Sequence, residues 1–443
     1  MKKVLIITYY WPPAGGPGVQ RVLKFAKYFP EFGWQPIILT VQNGEYPAYD
    51  ESLFSDIPKE CKVYKTPAIE PFSLYKKFTG MSSDEAIPVA TLAEKKTSWK
   101  KKLAHWIRLN LFIPDAKIGW IPFAIKAGKH IIRNEKPDII FSSSPPPTVH
   151  LIAKNLAKWS GIKWVADFRD PWTEIHYYEN QERIKISQKL DNKYERKVLN
   201  NAVVITSISQ LYIKEDFANK VSSKKCINIP NGYDESDFSN FSHKGIQKDT
   251  KKFVIMHLGA VGQERNPTNL FKSIKVLASS GKINAKNFSL VFIGNIDSSV
   301  KTSIEEYKIS EFVKMIPYLP HNEALKYTQY ANIMMLLVTQ SERNRRILPG
   351  KTFEYMRTGK PILALGPIDG EVARIITHTN TGIVISYDNF GKIYNTILYF
   401  YNLWKENKLK MNPISNKILA YSRKNLTQKL ATVFENIYNR KVC

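Results

Sequence analysis

Short apolar runs alternate with longer amphipathic stretches along most of this chain, and that alternation permits few architectures. A run of about 4–8 apolar residues bounded by polar or glycine-rich turns suits a strand buried on both faces. Strands of that kind, separated by helix-length segments, pair in parallel with helices covering both faces of the sheet. The pattern predicts strands at residues 3–8, 35–41, 138–142, 163–167, 202–206 and 225–230, with a helix over 19–32. A second series is expected at 253–258, 289–294, 313–316, 333–338, 361–365 and 381–385.

Between the two series the composition turns to Ser, Asp, Lys and Asn, which reads as a linker. The predicted organisation is an N-terminal Rossmann-like domain over 1–235, a linker over 236–252, a second Rossmann-like domain over 253–417 and a closing helix over 418–443. Sheets of this kind bind ligands at the carboxyl ends of their strands. The first residues, MKKVLIITYYWPP, read as a buried strand rather than a leader, because the apolar run is short and Pro12-Pro13 interrupts it. No apolar run approaches the length of a spanning helix.

Three cysteines, Cys61, Cys226 and Cys443, lie far apart, which suits a reducing cytoplasm better than a disulfide framework. None of the eight histidines stands at a ligand spacing from Cys, Asp or Glu, so no metal is expected. The formal net charge of +26 calls for anionic company: phosphorylated substrates, anionic lipid or nucleic acid.

Two glycine loops carry the chemistry. Gly15-Gly16-Pro17-Gly18 follows the first strand and precedes a helix, where backbone N–H groups could approach a phosphate. A dinucleotide fingerprint fails there, because Arg21 stands where the third glycine belongs and no acid ends the second strand. Gly350-Lys351-Thr352 imitates the tail of a P-loop, but Arg345 occupies the place of its first glycine. What remains is a helix start with Lys351 in its first turn and Glu354 one turn on, a pairing suited to a diphosphate and a ribose diol.

The stretch LPGKTFEYMRTGKP over 348–361 resembles the donor-binding signature of family 4 glycosyltransferases, which are retaining enzymes of the GT-B fold. Gly15-Gly16, the segment IPNGYD over 229–234 and the loop LGAVGQERNP over 258–267 resemble other parts of that family in the same order. The resemblance implies an α/β GT-B fold, with two Rossmann-like domains facing each other across a cleft. It implies transfer of a sugar from a UDP- or GDP-sugar to a glycan or lipid-linked acceptor, without a cofactor, in polysaccharide assembly at the cytoplasmic face of the membrane. Gly15, Gly16, Arg265, Tyr318, Gly350, Lys351 and Glu354 would bind the donor. Asp170 and Arg169 would act where sugar and acceptor meet.

Two positions depart from that family. Arg346 stands eight residues before Glu354, where an acid contacting the sugar belongs, and Glu342 could substitute. Arg169 replaces a histidine in WVADFRDPW. Residues 95–136 hold eleven Lys and Arg against two acids, with Trp99, Trp106 and Trp120 interleaved. That composition suits an anionic membrane surface and a peripheral attachment. Nucleic-acid binding is the rival reading of the charge, although no reading module is present. A phosphorylase or epimerase would use the same architecture for different chemistry.

Overall fold

The first series of strands forms one seven-stranded parallel sheet: β1 (Lys2–Ile7), β2 (Trp34–Val41), β3 (Lys62–Thr66), β4 (Ile139–Ser144), β5 (Lys163–Phe168), β6 (Val204–Ser207) and β7 (Cys226–Asn228). Their order is β3-β2-β1-β4-β5-β6-β7. In the computed structural model, the described residues are 1–46, 48–69, 99–174, 181, 183–239, 251–339 and 343–439. Val4 and Ile6 pack into one core layer and Leu5 and Ile7 into another, all fully buried. That two-sided burial is why the strand reads as an unbroken apolar run.

The second sheet has six parallel strands: β8 (Phe253–Leu258), β9 (Phe288–Ile293), β10 (Val313–Ile316), β11 (Ile333–Leu337), β12 (Ile362–Leu365) and β13 (Gly382–Ile385). Their order is β10-β9-β8-β11-β12-β13. Winding reverses between β1 and β4 in the first sheet and between β8 and β11 in the second. Each reversal opens a crevice at the carboxyl ends of those strands, because the connections on either side leave in opposite directions.

Two compact units result, Met1–Pro230 with Lys424–Cys443, and Asn231–Arg423. The last helix, Arg423–Asn439, returns to the core of the first unit. Leu426, Leu430 and Phe434 recur at helical spacing on its buried face, and the Phe434 ring lies 5.4 Å from Phe29 and 5.3 Å from Trp34. Truncating Phe434 to alanine would cost about 3–5 kcal/mol in lost transfer energy and a cavity. Among the described residues no helix is long and apolar enough to cross a membrane.

β3 was not expected from the apolar pattern. Its sequence, KVYKT, is mostly polar and its side chains are mostly half-exposed, as suits an edge strand. Trp120 also departs from expectation. It is fully buried, with its indole N–H donating to Thr66 Oγ1 at 2.7 Å, so it belongs to the core and not to an interfacial belt. Trp99 and Trp106 are exposed.

Candidate functional site

β8 ends at Leu258, and the chain turns at Gly259 with φ of 109°, a conformation glycine adopts without strain. The turn is crowded. A Cβ at Gly259 would stand 1.8 Å from Lys351 Nζ, so the ammonium group rests directly against this backbone. A Cβ at Gly294, after β9, would lie 2.7 Å from the Gly259 carbonyl carbon. Lys351 opens the helix Lys351–Arg357, which is fixed to the same place by Tyr355: its hydroxyl accepts from the Leu258 N–H at 2.9 Å.

Positive charge gathers here. Burial lowers the Lys351 pKa, Glu354 works against that, and Arg265 adds to it by like-charge repulsion. His257, across the strand end, is pushed down to about 3 by burial and by the charges of Lys351 and Arg265. It therefore stays neutral at physiological pH, with Nδ1–H able to donate to the Met335 carbonyl at 3.0 Å. Among the described residues the buried Arg265 Nε meets no acceptor. An unmatched buried guanidinium N–H is costly, and an anion in the crevice would relieve it.

Glu354 closes the other side of the same helix turn. Its side chain is about one-fifth exposed (21%) and meets His321 Nε2 at 3.0 Å. Burial alone would raise the Glu354 pKa; the hydrogen bond and charge of His321, with Lys351 and Arg423, outweigh it and hold the carboxyl below its usual range. Burial likewise opposes protonation of His321, and Glu354, Asp237 and Asn322 reverse the balance and raise its pKa. Glu354 is thus a carboxylate with acceptor capacity left for a hydroxyl pair.

Gly350 stands just before the helix with φ of −56°, and nothing lies within 4 Å of a Cβ built there. Neither backbone angle nor packing demands glycine at that position, which leaves room for a ligand. The helix itself has only seven residues, so Lys351 and Arg265 supply more of the local field than its dipole does. Tyr318 follows β10 and is 68% exposed. Arg346 lies in the short turn Arg343–Arg346, where Arg345 pairs with Asp369 at 2.8 Å. Glu342 is outside the described residues.

The crevice of the first unit is organised differently. Gly15 is wedged against residues 48–50, where a Cβ would meet three backbone or side-chain atoms at 3.2–3.3 Å, and Gly16 turns the chain with φ of 79°. Gly15 therefore has a packing reason to be there, and Gly16 a backbone one. Arg169 is buried, and its guanidinium donates to the carbonyls of Ser144 at 2.8 Å and Pro145 at 3.0 Å, and to that of Gly18. It ties β4 and β5 to the glycine loop, an occupation its place in the sequence did not foretell. Asp170, half-buried, sits beside it at the end of β5.

Beneath them lies a pair that sequence reasoning overlooked. Arg21 donates to Asp167 through Nε at 2.9 Å and Nη2 at 2.7 Å, and to the carbonyls of Ile229 and Pro230 at 2.8 Å. Asp167 also accepts from Ser143 at 2.7 Å and Thr206 at 2.6 Å. Among the described residues no group of three or more His, Cys, Asp or Glu is arranged to hold a metal.

Both units are similar to known proteins in sequence family or fold. The family model for Glycosyl transferases group 1 matches residues 238–417, and that for Glycosyltransferase Family 4 matches 87–237. No curated protein sequence matches the chain. Sucrose-phosphate synthase from Thermosynechococcus elongatus is similar in structure, with a TM-score of 0.66, 12% identity, and 99% of this chain and 100% of that one covered. The Anabaena HepE protein in complex with UDP and glucose superposes with a TM-score of 0.60 at 10% identity, over 98% and 100% of the two chains. The lipopolysaccharide outer core galactosyltransferase WaaB, in its apo form, gives 0.56 at 13% identity over 100% of both. With both of its units matched in sequence and fold, the chain belongs to the group 1, family 4 glycosyltransferases of the GT-B type.

Proposed function

We propose that this glycosyltransferase takes a UDP- or GDP-sugar as donor and transfers the sugar, with its anomeric configuration retained, to a glycan or lipid-linked acceptor in polysaccharide assembly. The observation that carries this reading is the meeting of Lys351 with the Gly259 backbone beside an unmatched Arg265 Nε. Two cations around one glycine turn suit the diphosphate of a departing nucleotide. Glu354 would hold the ribose hydroxyls, and the exposed Tyr318 ring would stack on the base. HepE, similar in fold, was solved with UDP and glucose, which supports a donor of this class.

In this mechanism Lys351 and Arg265 neutralise charge that develops on the diphosphate as the glycosidic bond breaks, so they lower the barrier without a metal. The sugar passes to an acceptor hydroxyl near Asp170. Attachment is peripheral, at the cytoplasmic face of an anionic membrane, through the basic segment over 95–136. The helix Trp99–Asn110 supports this, since Trp99, Leu103 and Trp106 are exposed at the spacing of one helical face.

Thermal shift with UDP-, GDP- and ADP-sugars tests the donor class, because a ligand of the folded state raises the melting temperature. Stabilisation by one nucleotide and its sugars supports the reading. No response to any of them contradicts it. The anomeric configuration of the product, read by NMR, then tests retention.

A further inference from the structure

The helix Lys185–Asn201 segregates its charge between two faces. Both of its acids point inward and are paired: Asp191 accepts from Arg183 at 2.8 Å and from the Trp172 indole at 2.6 Å, while Glu195 meets Lys220 at 2.7 Å and the Thr173 hydroxyl at 2.7 Å. The outer face exposes Lys185, Lys189, Lys193, Arg196 and Lys197 and no acid. Its field is therefore uncompensated. Lys197 and Lys158 crowd the neighbouring Lys154, whose pKa is lowered by burial and then by both of those charges.

Apolar side chains sit at the same end. Ile184, Ile186 and Leu190 are exposed by 39%, 76% and 36%. The amino end of this helix is tied to the carboxyl end of Trp99–Asn110. Ile184 N–H donates to Asn110 Oδ1 at 2.7 Å, Ser187 Oγ to the Asn110 carbonyl at 2.7 Å, and Arg183 Nε to the Leu109 carbonyl at 3.3 Å. Exposed Trp106 and Leu111 lie at that joint. Two helices joined at their ends thus each expose apolar anchors beside cations.

We infer that the outer face of Lys185–Asn201 is a second membrane-docking element, binding an anionic lipid surface together with Trp99–Asn110. The inference rests on the peripheral attachment proposed above. A polyanion alone would engage the lysines. A bilayer engages the lysines through its headgroups and takes Ile186 and Leu190 into its interfacial region, so only lipid uses both sets of residues. The helix belongs to the first unit and Lys351 to the second.

Flotation of the full chain with phosphatidylcholine vesicles, with and without phosphatidylglycerol, tests this. Wild type should bind only vesicles containing phosphatidylglycerol. The variant K189E/K193E/K197E should bind them about tenfold or more weakly, and I186S/L190S severalfold more weakly, with unchanged melting temperatures. The control K301E/K314E, on exposed residues of the other unit, should bind as wild type does. If wild type binds and K189E/K193E/K197E binds equally, the second element is wrong while attachment through Trp99–Asn110 stands. If wild type ignores anionic vesicles, attachment itself is wrong and the inference falls with it. If I186S/L190S binds as wild type and the lysine variant instead loses a labelled RNA, the face serves nucleic acid and the inference is overturned.

Discussion

His321 Nε2 and Glu354 Oε1 meet at 3.0 Å, joining two helices of the second unit at the edge of the proposed donor crevice. Glu354 titrates below its usual 4.5, so its part in this pair is fully present above 4.5 and is lost as pH falls through the lowered value. His321 titrates above its usual 6.5, so its part is fully present below 6.5 and is lost as pH rises through the raised value. The pair is complete between those two ordinary values.

Melting temperatures of wild type and His321→Gln across pH check this. The advantage of wild type should be largest between 4.5 and 6.5 and should shrink on either side. A difference that is flat from acid to alkaline pH would show that the contact is not an ion pair.

The Arg21–Asp167 pair makes a different prediction, because its side chains are only 1% and 0% exposed. Removing one partner strands the other charge in the core, at a cost of about 3–5 kcal/mol. Arg21→Met should therefore lower the urea midpoint sharply, whereas Arg21→Met combined with Asp167→Leu should recover part of the loss. If the double variant is less stable than the single one by a full additive step, the pairing argument fails.

Asp170 and Arg169 should separate in their effects. Asp170→Asn should reduce kcat while nucleoside diphosphate affinity and melting temperature hold. Arg169→Ala should destabilise the fold, since three backbone carbonyls lose their donor. Equal melting temperatures for wild type and Arg169→Ala would return Arg169 to a purely catalytic role.

Gly259→Ala tests the crowding around the turn. Its φ of 109° strains any other residue, and its Cβ would displace the Lys351 ammonium. Calorimetry should find nucleoside diphosphate binding weakened as much as in Lys351→Ala, with the double variant no worse than either. Additive losses would mean that Gly259 and Lys351 act on the ligand separately.

Much of this molecule could be read from its residues. The strand β8 falls at the expected bounds because an apolar run buried on both faces announces itself. β3 does not, since an edge strand buries too little to show a pattern. The Lys351–Glu354 pairing is local to one helical turn and so was legible. Its supports were not: His321 lies thirty-three residues from Glu354, and Tyr355 lies ninety-seven from the N–H it holds. Arg169 carried a usable signal. Pro145, Pro146 and Pro147 supply carbonyls but no N–H groups, so a nearby side-chain donor was called for. Trp120 misled because interleaving with lysines in sequence says nothing about which way an indole points.

The central claim is that Lys351 and Arg265 hold the diphosphate of the donor, with Glu354 on its ribose. Calorimetric titration of UDP and GDP into wild type, Lys351→Ala, Arg265→Ala and Glu354→Ala tests it most directly. A charge-assisted hydrogen bond is worth about 1.5–3 kcal/mol, so each variant should lose roughly ten- to a hundredfold in affinity for the preferred nucleotide. Without ligand, Lys351→Ala and Arg265→Ala should melt near wild type, and Glu354→Ala should melt lower by no more than His321→Gln does, since both lose the same contact. Undiminished nucleotide affinity in all three variants would contradict the account.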